Sequence, residues 1–506
     1  MKIGLMLSLV YFVAFPPQGL TQIVVNPPLL GRPAVPPSIV FPNPGQQFVG
    51  APISVPAHAT SGPPVTISSQ TRSVCTVSGQ TVSFLAEGIC TLTASQSAAD
   101  FDVAAPVSQS FNVDPMYMTN AMLSHSLLAP GDPSRLQRLI RKARAGEPVT
   151  IACIGGSITE GLTATDPGHR YMGRLASWWP TVFPRSSVTI VNAGVGATGS
   201  TYGALRLQRD VLSTNPDLII VEFAVNDPAK NPGIYQDTYE GLVRQILDSP
   251  QHPAVILLFM TKFALPMDEA TLTAQGWQSP IGANYNVPMV SFFDAIAPEL
   301  TDGTIALSDI TSDDAHPNNL GHAYVGLFLA NVIQNVIDEY PDGVSPSPIP
   351  PTANPMYSTD FEFTTLQDGT GGEGMPLDPV SNQGWTALPT GTDPVFGYAP
   401  GGLQSSTPGS TLDFVVAGDQ ILIGDLNYGG PVGQISVSVD GQPATIIDSF
   451  YQEQPGVWWR RLAPVLQNGA KTTHSVHIVL LSTHAAGSTG TTFRILCIGT
   501  GGAQAQ

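Results

Sequence analysis

Five apolar runs alternate with helical patterns between residues 115 and 340, and this alternation constrains the fold more than any other feature. The runs are VTIACIG, SVTIVNAG, DLIIVEFAV, AVILLFM and VPMVSFF, and helical patterns such as TYGALRLQRDVLST lie between them. Strands that are apolar on both faces are typical of a parallel sheet that helices cover on both sides. The sequence therefore predicts an α/β domain over residues 115–340.

Two β-rich regions flank this domain. Residues 21–113 open Pro-rich and continue as short alternating strands separated by Gly, Ser and Pro, which predicts a small β-sandwich. A Pro/Ser-rich linker, residues 341–356, precedes a return to alternating strands over residues 357–502. The Asp440-Gly441 pair between two alternating runs predicts a hairpin. We expect the C-terminal region to be a second β-sandwich or a jelly roll, and carbohydrate binding is its candidate role.

The N-terminus and the cysteines predict an exported protein. Residues 1–20 hold a lysine and then an apolar run that ends in Pro-Pro, a secretory signal pattern. No other segment approaches ~20 uninterrupted apolar residues, so we expect no membrane span. A secreted or periplasmic location would allow a disulfide between Cys75 and Cys90, which lie among neighbouring alternating strands. Cys153 and Cys497 are expected to be buried thiols.

Charge and residue spacing exclude several classes of partner. The chain carries 20 Lys and Arg against 38 Asp and Glu, a net charge of -18, and therefore lacks the basic surface that nucleic-acid binding needs. The basic residues between 135 and 144 are interpreted as a solvated helix face. No Cys/His spacing fits a zinc site, and Asp309, Asp313 and Asp314 lack the regular spacing of a calcium loop. We predict no metal, no cofactor and a monomer.

Polar residues follow the ends of the apolar runs, where an open α/β sheet binds its ligands. A further polar group lies in the loop before the last helix. The residues are Ser157; Asn192, Gly194 and Gly196; Asn226 and Asp227; and Asp313 with His316. Four independent segments thus bring polar groups to one edge of the predicted sheet. The sequence predicts a functional site at this edge.

These residue types are the parts of an acyl-transfer site. A serine hydroxyl is a poor nucleophile without a neighbouring base, and His316 can take the proton of Ser157 and later return it. Asp313 can orient the imidazole. The amide of Ser157, an amide of the glycine loop and the carboxamide of Asn226 can stabilise an oxyanion. Taken singly, Ser157 is better explained as a helix N-cap and Asn226-Asp227-Pro228 as a turn; only the combination favours catalysis.

These four segments resemble the four blocks of the SGNH (GDSL-like) hydrolase superfamily, in order and approximate spacing. IGGSIT resembles the nucleophile block, with Gly156 where the family usually has aspartate. FAVND resembles the G-x-N-D block, with Ala224 where glycine is usual, and DDAH resembles the D-x-x-H block. In the N-terminal region, VCTVSG…GICTLTA resembles bacterial immunoglobulin-like modules. The resemblance implies a flavodoxin-like three-layer domain with a parallel sheet, between two β-sandwiches.

The resemblance also implies roles for individual residues. Ser157, Asp313 and His316 would form the catalytic triad. NAGVGATG resembles the family's second block, whose oxyanion glycine corresponds to Ala197; Gly196 precedes it, and both amides are candidates. Ser157 and Asn226 would complete the oxyanion hole. No G-x-S-x-G elbow occurs, which argues against an α/β-hydrolase.

The family implies ester hydrolysis but not which ester. Export and two β-rich regions favour an extracellular polymer, so we expect an O-acetyl esterase acting on a polysaccharide. Aromatic residues of the C-terminal region can stack on sugars or pack in a core: Trp385, Tyr428, Tyr451, Trp458 and Trp459. His169, Arg170 and Tyr171 are candidate substrate contacts because they lie close to Ser157 in sequence. The alternatives are a lipase or acyltransferase with the same triad, and a carbohydrate-binding protein with an inert hydrolase domain.

Overall fold

The structure, a computed structural model, describes residues 37–60, 62–97, 103–369, 376–388, 401–451 and 459–502. The predicted signal peptide, residues 1–20, lies outside the described residues, and so does Trp458. A β-rich N-terminal region, a central α/β domain and a β-rich C-terminal region follow one another along the chain. Their order is that of the sequence patterns.

The N-terminal region consists of short strands. They are β1 (Ile39–Val40), β2 (Gln47–Phe48), β3 (Ile53–Ser54), β4 (His58–Ala59), β5 (Thr66–Ser69), β6 (Cys75–Ser78), β7 (Thr81–Phe84), β8 (Gly88–Ser95) and β9 (Val107–Asp114). Among the described residues they form a four-stranded sheet (β2-β9-β8-β5), a three-stranded sheet (β3-β7-β6) and the pair β1-β4. Cys75 of β6 and Cys90 of β8 form the predicted disulfide, which joins the two larger sheets. The immunoglobulin-like topology stays a prediction.

The α/β domain contains one mixed sheet. Its strands are β10 (Leu127–Ala129), β11 (Val149–Gly155), β12 (Val188–Gly194), β13 (Leu218–Glu222), β14 (Ala254–Phe259) and β15 (Met289–Ser291). In the described residues their order is β10-β15-β14-β13-β11-β12. β11 to β15 are parallel and coincide with the five apolar runs. β10 is an antiparallel edge strand that the pattern does not reveal, because three residues are too few to show a period.

The carboxyl end of β11 lies where the order of the strands reverses. β11 pairs with β12 on one side and with β13 on the other, so that Gly155 lies between Gly194 and Glu222. Ligands of open α/β sheets bind at such a switch point. A ligand is therefore expected beyond Gly155, which is two residues before Ser157.

Helices cover both faces of this sheet. They are α1 (Asn120–Ser126), α2 (Ser134–Arg144), α3 (Ser157–Glu160), α4 (Tyr171–Val182), α5 (Ser200–Asp210), α6 (Ile234–Leu247), α7 (Glu269–Leu272), α8 (Gln275–Asn284), α9 (Phe292–Thr301), α10 (Leu307–Ile310) and α11 (Asn319–Glu339), with 3-10 turns at Pro167–His169 and Leu212–Thr214. Ile151 and Cys153 of β11 face a core shared with α2, α4, α9 and α11. Ala152 and Ile154 face a second core with α5, α6 and α8. This alternation explains why the strand is apolar throughout.

Helix α11 is long and apolar enough by composition to cross a membrane, but it lies inside the α/β domain. The share of its most apolar window that is buried in the structure is 67%. Its buried side chains, such as Phe328 and Ile333, pack in the core with α2, α4 and α9. The apolar character of α11 is therefore explained by its place in the core.

The C-terminal region contains two antiparallel sheets. Its strands are β16 (Thr364–Asp368), β17 (Ser381–Gln383), β18 (Thr386–Leu388), β19 (Gly402–Ser405), β20 (Thr411–Gly418), β21 (Gln420–Asn427), β22 (Gln434–Val439), β23 (Thr445–Asp448), β24 (Trp459–Leu466), β25 (Thr472–Leu480) and β26 (Phe493–Gly501). Among the described residues, one sheet runs β18-β19-β26-β21-β24 with β16 beside β26, and the other runs β17-β20-β25-β22-β23. Phe414, Ile423 and Ile478 belong to a core that both sheets share. The predicted Asp440-Gly441 turn joins β22 to β23.

The N-terminal region packs directly against the α/β domain. The fully buried carboxamide of Gln47 accepts a hydrogen bond from Arg174 at 2.8 Å and lies 2.8 Å from the imidazole of His169. The amide of Ser54 donates to the hydroxyl of Ser177 in α4. Because a buried polar group is costly unless it is paired, these contacts fix how the region is seated.

The C-terminal region is held by ion pairs and by a buried carboxylate. Arg209 of α5 and Asp368 of β16 form a salt bridge of 2.6 Å, in which the carboxylate is fully buried. The carboxylate of Glu240 in α6 accepts hydrogen bonds from the amides of residues 356–358. The predicted linker lies along the α/β domain, since Arg244 donates to the carbonyl oxygen of Ala353.

Candidate active site

The chain turns sharply between β11 and α3, and two glycines make the turn possible. A Cβ on Gly155 would lie 2.1 Å from Oγ1 of Thr159, and a Cβ on Gly156 would lie 2.0 Å from Oδ1 of Asn226. Real Cβ atoms do not approach other atoms so closely. Position 155 requires glycine because its Cβ would also lie 2.4 Å from the carbonyl oxygen of Glu222, whereas a side chain at position 156 would displace the Asn226 carboxamide. The turn leaves Ser157 as the first residue of α3, with 7% of its surface exposed.

The hydroxyl of Ser157 begins a chain of hydrogen bonds. Its Oγ lies 2.8 Å from Nε2 of His316, and Nδ1 of the same imidazole lies 2.8 Å from Oδ2 of Asp313. Ser157 and His316 are separated by 159 residues in sequence, so the fold rather than the local chain brings them together. The structure thus brings together all three residues of the predicted triad.

The loop that carries Asp313 and His316 is tied by its own hydrogen bonds. Oδ1 of Asp313 accepts from the amides of Ala315 at 2.8 Å and His316 at 2.6 Å. The hydroxyl of Thr311 donates to the carbonyl oxygens of Asp313 and His316. Partial burial raises the pKa of Asp313, but the two amides and the imidazole outweigh it and lower the pKa below its ordinary value. The carboxylate is therefore charged when it meets the imidazole.

The third polar segment places an asparagine beside the serine. The carboxamide of Asn226 lies over Gly156, and its Oδ1 is buried without a hydrogen-bond donor among the described residues. The next residue is an anchor, since Asp227 accepts from the amide of Ser200 and from the side chain of Gln278, both at 2.8 Å. Burial raises the pKa of Asp227 to about 7. Asp227 thus joins the end of β13 to α5 and α8.

The loop after β12 distinguishes between the two predicted amide donors. The amide of Gly196 donates to Oε2 of Glu160 at 2.9 Å and is therefore already occupied. Ala197 has a φ of 55°, in the left-handed region that few residues other than glycine adopt. Among the described residues, the Ala197 amide has no hydrogen-bond acceptor. Of the two candidates, only the amide of Ala197 is available to a ligand.

The structure buries two of the three predicted substrate contacts and leaves the third partly exposed. His169 is buried between Asp166, at 2.6 Å, and Gln47 of the N-terminal region. The phenol of Tyr171 is buried and lies 2.9 Å from the hydroxyl of Thr159. Only Arg170 keeps partial exposure, with its side chain over Gly161 at the end of α3. The segment after α3 stays beside the loop that carries His316, since the hydroxyl of Thr163 donates to the carbonyl oxygen of Pro317 at 2.8 Å. A substrate contact by Arg170 stays a prediction.

A hydrogen bond between buried side chains joins α3 to the end of β13. The hydroxyl of Thr159 lies 3.3 Å from the carboxylate of Glu222, which is fully buried at the end of β13. Burial raises the pKa of Glu222 to about 8, and the hydrogen bond from Thr159 only partly opposes this. Burial likewise raises the pKa of the Cys153 thiol to about 12, so this cysteine stays a protonated core residue, as predicted.

Sequence reasoning missed Glu160 and Glu222. Glu160 lies within GGSITEG, four residues after Gly156. Nothing in this pattern indicates that its side chain accepts a hydrogen bond from the loop after β12. Glu222 ends an otherwise apolar run, and a charged residue in a buried strand is itself a signal of a paired or protonated carboxyl. No group of three or more His, Cys, Asp or Glu side chains that could hold a metal occurs within the described ranges.

The aromatic residues of the C-terminal region have different environments. Trp385 is 5% exposed and packs in the core between the two sheets. The guanidinium of Arg494 lies 5.3 Å from the ring centre of Tyr428. Tyr451 and Trp459 are partly exposed, with ring centres 5.8 Å apart. Trp385 is thus a core residue, whereas sugar stacking by Tyr451 or Trp459 stays a prediction.

A comparison with protein families places this geometry. The model of the GDSL-like lipase/acylhydrolase family matches residues 153–324, a range that begins within β11 and includes Ser157, Asn226, Asp313 and His316. The central domain is a GDSL-like hydrolase. The predicted SGNH superfamily is confirmed, and the chain is a carboxylic ester hydrolase.

Two solved structures resemble most of this chain. One is a two-domain esterase (CEX) active on acetylated mannans, co-crystallised with mannopentaose; it is 28% identical, with a TM-score of 0.65 over 77% of this chain and 100% of that chain. The other, also described as the two-domain esterase (CEX) active on acetylated mannans, is 28% identical, with a TM-score of 0.66 over 76% of this chain and 99% of that chain. No curated protein sequence matches the chain.

Proposed function

We propose that this GDSL-like hydrolase removes O-acetyl groups from a polysaccharide, with Ser157 as its nucleophile. The observation that carries the proposal is the chain of two 2.8 Å contacts from Ser157 through His316 to Asp313. A serine next to a base that a carboxylate orients is the arrangement that acyl transfer requires.

The geometry supports a two-step mechanism. His316 Nε2 takes the proton of Ser157 as Oγ attacks the ester carbonyl carbon, and a tetrahedral oxyanion forms. The imidazolium then gives this proton to the sugar oxygen as the bond between that oxygen and the acyl carbon breaks, which leaves an acetyl group on Ser157. Water, deprotonated by His316, attacks the acetyl carbon, and acetate leaves as the proton returns to Oγ. Asp313 stabilises the imidazolium in both steps.

The oxyanion would be held by three donors at the ends of different strands. These are the amide of Ser157 at the start of α3, the amide of Ala197 and the carboxamide of Asn226. Each donor of this kind is worth about 3–4 kcal/mol of barrier. Donors from separate segments do not have to reorient during the reaction, because the sheet fixes them beforehand.

Support for a polysaccharide ester comes from the two solved structures and from the C-terminal region. The two-domain esterase (CEX) is active on acetylated mannans and matches about three quarters of this chain. In the present chain, Leu462 of the C-terminal region packs against an apolar cluster that includes Val195 and Tyr202, which flank the proposed oxyanion loop. A β-rich region beside the site provides surface for a polymer that extends past one acetyl group. We further propose that the protein is exported through its N-terminal segment.

The test is acetate release from a panel of acetylated polysaccharides, including acetylated mannan, xylan and pectin. The proposal expects release from at least one polymer by the wild type and none by Ser157→Ala, with an unchanged circular dichroism spectrum. Higher kcat/KM for p-nitrophenyl dodecanoate than for the acetate would instead favour a lipase. Absence of hydrolysis of every ester would contradict the proposal.

A further inference from the structure

We propose that Glu160 is a positioning residue, whose carboxylate holds the oxyanion loop so that the Ala197 amide points at the reacting ester. This inference rests on the proposed function. Its starting point is the 2.9 Å hydrogen bond that Oε2 of Glu160 accepts from the amide of Gly196. The same bond removes Gly196 from the oxyanion hole and leaves the next amide free to act.

Helix α3 connects the nucleophile to this acceptor within a single turn. Ser157 is the first residue of the helix and Glu160 is the last. The helix ends there, because Gly161 has a φ of 93° in the left-handed region. A displacement of α3 would therefore move the serine and the loop together. The helix thus couples the position of Ser157 to that of the Ala197 amide, the proposed donor to the oxyanion.

The loop after β12 docks closely against the end of α3. A Cβ on Gly194 would lie 2.1 Å from the backbone nitrogen of Glu160. The loop can therefore approach α3 this closely only because residue 194 is glycine. The side chain of Asn192 donates to the carbonyl oxygen of Thr159 at 2.8 Å, and the amide of Val195 donates to the carbonyl oxygen of Gly155 at 3.0 Å. Glu160 then takes the following amide, that of Gly196. Successive contacts thus lead the chain up to Ala197.

Ala197 is the residue at which the loop stores strain. Its φ of 55° lies in the left-handed region, which is unfavourable for an L-residue because the Cβ approaches the carbonyl oxygen that follows it. Such a conformation persists only where neighbouring contacts hold it. Glu160 holds the amide of Gly196, and the Ala197 amide belongs to the next peptide bond along the chain. Without the carboxylate, the loop is free to relax and to turn this amide away from the ester.

The role requires an acceptor oxygen at the right reach rather than a negative charge. A carboxylate near the site would repel the developing oxyanion, because like charges repel, so the benefit has to come from the hydrogen bond. Glutamine keeps both the length and a carbonyl oxygen. Aspartate keeps the charge but is one methylene shorter. The two substitutions therefore separate positioning from electrostatics.

The experiment compares three variants with the wild type, measuring kcat and KM for p-nitrophenyl acetate. We expect Glu160→Gln to keep kcat within about 3-fold, whereas Glu160→Asp and Glu160→Ala lose about 10- to 100-fold in kcat at unchanged KM, as expected when a catalytic group is misplaced by about 1 Å. Glu147→Ala, at an exposed glutamate before β11, is the matched control and should leave kcat unchanged.

Two results would overturn the proposal. One is a kcat of Glu160→Ala within 3-fold of the wild type. The other is a higher kcat for Glu160→Asp than for Glu160→Gln, since a role based on charge gives that order. If Glu160→Ala does not fold, the order of kcat between Glu160→Gln and Glu160→Asp decides. The two variants are compared under conditions in which their melting temperatures are equal. Ser157→Ala is measured in parallel: if it retains wild-type turnover, the proposed function has failed, whatever the variants of Glu160 show.

Discussion

Replacing Asp313 with asparagine tests how the imidazole is held, and the structure predicts which way the new side chain turns. One carboxylate oxygen of Asp313 accepts from Nδ1 of His316 at 2.8 Å. The other oxygen accepts from the amides of Ala315 and His316 at 2.8 and 2.6 Å. Asparagine has only one oxygen, and two backbone donors compete with one imidazole for it. Its NH2 group is therefore expected to face Nδ1.

This orientation gives the imidazole the wrong tautomer. An NH2 donor makes Nδ1 the acceptor, so the proton lies on Nε2 and His316 can no longer take the proton of Ser157. Turning the asparagine over gives up two amide hydrogen bonds at about 1 kcal/mol each, and the neutral side chain forfeits a further 2–3 kcal/mol of interaction with the imidazolium. A total of about 4–5 kcal/mol corresponds to a fall in kcat of about 10³-fold.

The assay is the steady-state hydrolysis of p-nitrophenyl acetate, with Asp314→Asn as the matched control. Asp314 is the exposed neighbour, and its carbonyl oxygen, not its side chain, accepts from the amide of Phe263. We expect Asp313→Asn to fold normally and to lose about 10³-fold in kcat, while Asp314→Asn stays within about 2-fold of the wild type. The reasoning is refuted if Asp313→Asn keeps more than a tenth of the wild-type kcat, or if both variants lose the same amount.

Three further predictions concern stability. Replacing Cys75 and Cys90 by serine opens a loop with a sequence separation of 15. This should lower the free energy of unfolding of the N-terminal region, measured by urea titration, by about 3 kcal/mol, and an unchanged free energy would contradict the prediction. Burial raises the pKa of Glu222 to about 8, so stability should fall as the pH rises from about 4.5 to 8; Glu222→Gln should flatten this slope, and an unchanged slope would contradict it. The hydrogen bonds that the His474 imidazole donates to Asp440 and to a carbonyl oxygen outweigh burial and raise its pKa, while the pKa of Asp440 is lowered. Asp440→Asn should therefore destabilise most between about pH 4 and 6.5, and a pH-independent loss would contradict this.

The central sheet and its site were predictable from the sequence because both depend on short-range patterns. The five parallel strands are largely apolar, and glycine or asparagine lies at or shortly after the carboxyl ends of three of them, at Gly155, Gly194 and Asn226. The position of such residues at strand ends, together with Asp313 and His316 before a long helix, is a local property of the sequence. Packing of the sheet and of the helix that follows His316 then brings these residues together.

The remaining features depend on tertiary contacts that no local pattern records. His169 lies near Ser157 in the chain, but its environment is set by Gln47, which is 122 residues away. Whether Gly196 or Ala197 is free depends on the side chain of Glu160 in another segment. The edge strand β10 was missed because its three residues show no period. A fold fixes such partners only once its elements have packed.

The most direct measurement is the site of labelling by diethyl p-nitrophenyl phosphate, read by peptide mass spectrometry. The account predicts that one diethylphosphoryl group appears on the peptide that contains Ser157, in proportion to the activity lost. His316→Ala should label far more slowly, because the base that activates the hydroxyl is absent. Inactivation with the label on another residue, or full activity after Ser157 is labelled, would contradict the account.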